Sequence, residues 1–284
     1  MDTNKILIIG ATGQLGYDIK KELISNGFNV IGVGSADLDI TNYEKVDSFI
    51  STNNISYVIN CAAYTKVDDA ETNKDLNYKI NVTGTKNIVD ACKKYDLPLM
   101  FFSTDYVFGN DNDLPHKEDD EKNPLCEYAK SKLEAENIVH TLNKYYILRI
   151  SWVFGINGKN FVKTMIDLSK TKSELRIVSD QIGSPTYTVD VAKIIPDFVK
   201  EKKWGIYHVT NEGYVSWADF AREIFKKINK EVTVTNISTE EFNAKALRPK
   251  NSRLDKSKLM NCGFRTLPTW QDALDRYLLE LNEK

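Results

Sequence analysis

The first half of the chain alternates short apolar runs with longer stretches of mixed character. Residues 6–9 (Ile6-Leu7-Ile8-Ile9), 29–33, 57–60, 97–103 and 145–150 are apolar at nearly every position. Such runs predict strands covered on both faces, not strands with one wet face. Helical periodicity fills the gaps, at residues 14–26, 43–51, 75–95 and 128–142. Strand and helix in alternation predict right-handed βαβ units and a doubly wound parallel sheet, an α/β fold. Past about residue 150 the rhythm changes: residues 161–170, 189–200, 217–228 and 270–281 predict helices, set among isolated strands and more loop. We therefore expect a dinucleotide-binding domain over residues 1–150. Residues 151–284 should form mainly a smaller substrate-binding lobe, with a soft, interleaved boundary.

Composition narrows the partners. Lys and Arg number 38 against 40 Asp and Glu, a net charge of −2, so no basic field exists to attract nucleic acid. Cys61, Cys92, Cys126 and Cys262 show neither metal-ligand nor disulfide spacing, which fits a reducing compartment. His116, His140 and His208 show no ligand spacing either, and no metal site is expected. The chain opens Met1-Asp2-Thr3-Asn4-Lys5 and goes directly into an apolar strand, with no leader-like segment and no run of 18 apolar residues. The expectation is a cytoplasmic protein without a membrane partner.

Gly10-Ala11-Thr12-Gly13-Gln14-Leu15-Gly16 falls where the first strand turns into the first helix. Glycine permits a tight turn and close approach of backbone to a pyrophosphate, and the helix N-terminus favours its charge. The spacing differs from the commonest dinucleotide fingerprint, so a glycine-rich turn without ligand remains the alternative. With a ligand, the sheet is Rossmann-type. After the second strand, Val33-Gly34-Ser35-Ala36 offers neither an acid for a ribose nor an Arg for a 2′-phosphate. Asp39, with Ile40 beside it, either reaches the adenosine end or caps a turn before Thr41. The missing basic group favours NADH over NADPH, with both retained. Ala62-Ala63-Tyr64-Thr65 follow the third strand, where small residues let a cofactor lie close.

Tyr128 and Lys132 are four residues apart, on one face of a predicted helix. A neighbouring ammonium should lower the phenol's pKa and suit it to acid–base work. The fourth strand ends Ser103-Thr104-Asp105-Tyr106, and a hydroxyl there can bond a ketone oxygen. Singly, each feature is ordinary turn or helix chemistry; in this order within one βαβ series they are mutually consistent.

The glycine loop, Asn60-Cys61-Ala62-Ala63-Tyr64-Thr65-Lys66-Val67-Asp68, Ser103-Thr104-Asp105-Tyr106-Val107-Phe108, Arg149-Ile150-Ser151-Trp152-Val153-Phe154-Gly155, Asp180-Gln181-Ile182-Gly183-Ser184-Pro185-Thr186 and Arg248-Pro249-Lys250-Asn251-Ser252 resemble the extended short-chain dehydrogenase/reductase family. The likeness runs essentially end to end. It implies reduction by NADH or NADPH of the 4-keto group of a dTDP-sugar, dTDP-4-dehydro-β-L-rhamnose, to dTDP-L-rhamnose. It implies Tyr128 as proton donor, Lys132 as the group that tunes it and binds the nicotinamide ribose, and Thr104 as the group orienting the carbonyl. Gly10, Ala11, Thr12, Gly13, Gln14, Leu15, Asp39, Ile40, Ala62, Ala63, Tyr64 and Thr65 would hold the cofactor. Asp105 and Trp152 match positions that touch the sugar nucleotide, and Arg248 would face the diphosphate. Some members use Mg2+ at a dimer contact; its carboxylates have no match here, and a homodimer stays open. A 4,6-dehydratase would carry a second acid where Tyr106 stands. A 4-epimerase and a non-catalytic NAD(P)-binding regulatory subunit are the remaining alternatives.

Overall fold

The computed structural model describes residues 5–109 and 112–282; Met1, Asp2, Thr3 and Asn4, part of the opening read above for a leader, lie outside the described residues. The five apolar runs form β1 (Lys5–Ile9), β2 (Asn29–Val33), β3 (Ile55–Asn60), β4 (Leu99–Thr104) and β5 (Tyr145–Ile150), and β6 (Gly205–His208) joins them from far along the chain. All six are parallel, in the order β6-β5-β4-β3-β1-β2. The chain steps outward from β1 to β2, then crosses to β3 and steps outward on the other side. Strand order therefore reverses between β1 and β3, and in open α/β sheets ligands bind beyond the carboxyl ends at that reversal.

The helices used below are α1 (Gln14–Ser25), α2 (Tyr43–Thr52), α3 (Gly84–Lys94), α4 (Glu127–Val139), α5 (Phe161–Ser169), α6 (Thr188–Lys200), α7 (Trp217–Lys227) and α8 (Trp270–Glu280). Successive strand residues point to opposite faces. Ile6, Ile8, Met100 and Leu148 pack with Ile19 of α1 and Val191 and Ile195 of α6. Leu7, Ile9, Phe101 and Ile147 pack with Val46 of α2, Ile88 of α3 and Ala135 of α4. Both faces are dry, which accounts for the unbroken apolar runs.

Helix α6 and strand β6 come from the second half of the chain but belong to the first sheet. Helices α5, α7 and α8 instead gather around Phe154, Val162, Phe220 and Tyr277 in a separate core. The helix expected over residues 75–95 is not uniform: Lys74–Tyr78 and α3 are joined by a π turn, Lys79–Thr83. Within that turn sits buried Asn81, which accepts the Tyr64 N–H at 2.8 Å and donates to Ser131 Oγ at 3.0 Å. The wider turn thus ties the loop after β3 to α4.

Helix α1 lies so close to the loop before it that a Cβ on Gly16 would overlap the Gly10 carbonyl. Gly16→Ala is expected to lower unfolding free energy by about 1–3 kcal/mol through overpacking. Urea denaturation should show a lower midpoint at unchanged slope; an unmoved midpoint would mean α1 can retreat freely.

Candidate active site

Gly10 has φ +82°, and a Cβ there would lie 2.7 Å from the Ala62 nitrogen. The ends of β1 and β3 therefore meet backbone to backbone, with no space for a side chain between them. Gly13 is the N-cap of α1, and no side chain caps that helix. Gly13, Gln14 and Leu15 line a cleft of about 440 Å³ above the sheet. Uncapped N-terminal amides at a cleft are a ready site for an anion. The second lobe reaches across this loop: Asn157 Nδ2 donates to the Thr12 carbonyl at 2.7 Å, and Asn160 Nδ2 to Gln14 Oε1 at 2.9 Å.

The other residues expected at the cofactor separate into two groups. Ala63 and Thr65 line the cleft. Ala11 is buried, exposed Thr12 lies beside Gly34, and the Ala62 amide donates to Asn60 Oδ1 at 3.0 Å. The Tyr64 hydroxyl bonds Asp69. Ile40 is a core residue packed on Gly84, away from the cleft lining. Asp39 is exposed and accepts the Thr41 N–H at 3.0 Å and hydroxyl at 2.8 Å. Those two bonds, of the kind a turn-capping Asp makes, hold its carboxyl below the usual range.

Thr104, Asp105, Tyr128, Lys132 and Trp152 all line the same cleft. Strand β4 ends at Thr104, which puts its hydroxyl at the carboxyl edge. This hydroxyl bonds the Tyr128 phenol and donates to Asp105 Oδ1 at 3.0 Å. Tyr128, half-buried on the first turn of α4, meets Tyr106 edge-on at 6.0 Å. One turn on, Lys132 Nζ donates to the Phe102 carbonyl at 2.8 Å and lies 4.0 Å over the Phe101 ring.

The electrostatics differ from the simple expectation. Burial pushes the Tyr128 phenol up, the Thr104 hydroxyl opposes this, and Lys132 is not among the principal influences on it. The phenol thus keeps its proton at neutral pH. Lys132 itself is lowered to about 7, because burial disfavours the ammonium more than Glu136 and Cys61 favour it. Burial also pushes Asp105 up to about 6, against the pull of the Ser252 and Thr104 hydroxyls.

Trp152 stands just past β5 at φ +47°, a backbone region few residues other than glycine adopt. Its ring stacks on Trp217 at 3.6 Å and presses on Gly183, where a Cβ would lie 2.7 Å from the indole. Arg248 lies outside the main cleft, in an adjoining cavity of about 350 Å³ that shares Tyr106 and Trp217 with it. Its guanidinium grips Asp68 at 3.1 and 2.6 Å.

Residues 4–283 match the family described as RmlD substrate binding domain. The chain belongs to this family. Among its RmlD relatives, a dTDP-4-dehydrorhamnose reductase of Aggregatibacter actinomycetemcomitans is 41% identical over 95% of this chain and 97% of its own. A dTDP-4-dehydrorhamnose reductase structure from Clostridium acetobutylicum superposes with a TM-score of 0.95 at 46% identity, covering 98% of this chain and 99% of that one. Another, from Bacillus anthracis in complex with NADP, gives 0.94 at 41% identity with the same coverage.

Some residues of this RmlD-family cleft carry no local signal. Trp217 faces it from the start of α7; the Ser216 cap marks a helix start but not where the ring goes. Asn81 is signalled by nothing in the helical pattern around it. Ser103, read only as part of its motif, lines the cleft with a buried hydroxyl that has no protein partner.

Asp105 generates a pH test. Its folded value, about 6, exceeds the 3.8 of an unperturbed Asp, so the folded chain holds the extra proton between these values. Its contribution to stability is full below 3.8 and is lost as pH rises through about 6. The loss should approach roughly 3 kcal/mol. Denaturant titrations at pH 4 and pH 7 should show this decline in the native chain and a smaller one in Asp105→Asn; equal declines would show that Asp105 is not the group responsible.

Proposed function

We propose that this protein uses NAD(P)H to reduce the 4-keto group of dTDP-4-dehydro-β-L-rhamnose to dTDP-L-rhamnose. The observation that carries the reading is the convergence of Thr104, Asp105, Tyr128 and Lys132 on one cleft beside the uncapped glycine loop. The names of the relatives supply the substrate.

The cleft suits a nicotinamide dinucleotide on its own terms. Gly13 lines the cleft with no side chain at the uncapped start of α1, and Ser103 offers an unpaired buried hydroxyl. Gly13, Gln14 and Leu15 would hold the pyrophosphate, and Ala63, Thr65 and Lys132 would lie along the nicotinamide half. When bound, the reduced cofactor supplies the hydride. Thr104 holds the ketone oxygen, and Tyr128, whose phenol stays protonated, donates the proton that completes the alcohol. Asp105 and Trp152 contact the sugar. The adjoining cavity, walled by Phe161, Met165 and Val178 with Arg248 at its edge, takes the nucleotide end. Residues 151–284 thus serve mainly the substrate and residues 1–150 the cofactor. Tyr106 stands where an elimination would need a second acid, which supports simple reduction.

The Bacillus anthracis relative is in complex with NADP, while residues 34–41 of this chain hold no Arg or Lys. We expect NADH and NADPH to bind within about tenfold of each other, or 1.4 kcal/mol. Among the described residues no helix is long and apolar enough to cross a membrane, and the cysteines are free, which supports a cytoplasmic setting.

The test is incubation with dTDP-4-dehydro-β-L-rhamnose and each cofactor, following NAD(P)H absorbance and identifying the product. Tyr128→Phe should fold and bind cofactor normally but turn over about 10²–10⁴-fold more slowly. Retention of most activity would assign the proton to another group. Thr104→Val should mainly reduce turnover. Gly13→Val should abolish cofactor binding while the chain stays folded, and an unchanged cofactor titration would remove the glycine loop from the site.

A further inference from the structure

Arg149 is fully buried in a largely apolar sheet, and the reaction described above does not use it. It stands on β5 in register with Ser103 of β4, next to the end of the strand that carries Thr104. Its Nε and Nη2 grip the two oxygens of Glu136 at 2.9 and 2.7 Å, and its Nη1 donates to the Glu118 carbonyl at 3.0 Å. Glu136 is itself 3% exposed. A buried ion pair is seldom retained for stability alone, since a packed apolar pair of similar volume is often as stable. Its position offers another reason: Glu136 follows Lys132 by four residues on α4, and both side chains are buried on the same helix face.

The surroundings of Lys132 contain few other charges. Strand β4 presents the Phe102 carbonyl and the Phe101 ring, and the residue after β3 presents the Cys61 thiol, which burial pushes up. Helix α4 itself adds the protonated phenol of Tyr128 and the carboxylate of Glu136. Beyond Glu136 lies Arg149 on β5. Of these groups only Glu136 carries a negative charge.

We propose that Glu136, held by Arg149, is a positioning residue that keeps the buried Lys132 amine charged for cofactor binding and turnover. Arg149 fixes the carboxylate one helical turn from the amine, at a place where water cannot do the same work. Removing Glu136 takes away the larger of the two influences that oppose burial, and Lys132 then gives up its proton at lower pH. The proposal rests on the assignment of Lys132 to the reaction, and the experiment separates the two.

Glu136→Gln alone leaves Arg149 buried without a counter-charge, so the main variant is the double replacement Glu136→Gln with Arg149→Met, which removes both charges and keeps the volume. The Lys132 titration is read directly from its 13Cε resonance, assigned by its loss in Lys132→Met. The native chain should titrate near 7. The folded double variant should titrate lower by up to about one unit, because the carboxylate acts on Lys132 while the guanidinium, which lies beyond it and would act in the opposite sense, is not among the principal influences on the amine. The alkaline limb of kcat/KM should move by the same amount. A resonance that titrates at the native pH in the folded double variant overturns the proposal. A shifted resonance with an unmoved kcat/KM limb supports the effect of Glu136 on Lys132 and overturns the part of Lys132 in the reaction. If the double variant does not fold, Glu136→Asp serves instead: a retracted carboxylate should give a smaller shift in the same direction, and no shift overturns the proposal.

Discussion

The site depends on one constraint: the backbones of β1 and β3 approach so closely at their carboxyl ends that Gly10 and Ala62 touch. Parallel pairing brings β1, β3, β4 and β5 to the same edge. Because strand order reverses there, no crossover runs over the gap. A shallow cleft follows from the topology, and the chemistry is then supplied by whatever each strand carries in its last residues. Strand β4 carries Ser103 and Thr104, β1 leads into the glycine loop, and Trp152 stands just past the end of β5. Helix α4 crosses beside β4 and brings Tyr128 and Lys132 to the same opening.

Legibility in the sequence follows the range of the interaction that decides each feature. Strands β1 and β5 could be read because burial on both faces leaves a continuous apolar run, whereas β2, at the sheet edge with only Val33 fully buried, could be read from its valines and isoleucine alone. Strand β4 starts two residues later than its run suggests. Leu97 still closes the end of α3 by donating to the Cys92 carbonyl, and Pro98, which has no N–H, only accepts from Val58. Strand β6 could not be read at all: Gly205-Ile206-Tyr207-His208 is short, and only pairing with β5 makes it a strand. The π turn was hidden in the same way, since what favours it is a set of bonds from Asn81 to residues 17 and 50 positions away.

The chemistry of the site divides similarly. Thr104, Asp105, Tyr128, Lys132 and Trp152 could be picked out by motif and do meet at one cleft. Their protonation could not, because burial outweighs the nearest charge. Spacing alone suggested that Lys132 holds the Tyr128 phenol down, whereas both groups are governed first by desolvation. Arg248 illustrates the same limit: its partner Asp68 is 180 residues away, and nothing local marks the pair.

The interleaving of the two halves has a consequence for how the chain is made. Strand β5 is complete at Ile150, but the strand that covers its outer edge, β6, begins only at Gly205. During synthesis at about 5–20 residues per second, that edge stays open for roughly 3–10 s. Helix α6, which must cover one sheet face, emerges in the same interval. A nascent chain in this state presents an unpaired strand edge and bare apolar surface, the features that draw chaperones or promote aggregation. Truncation at the apparent boundary near residue 150 would leave β5 without β6 at its edge and one sheet face without α6.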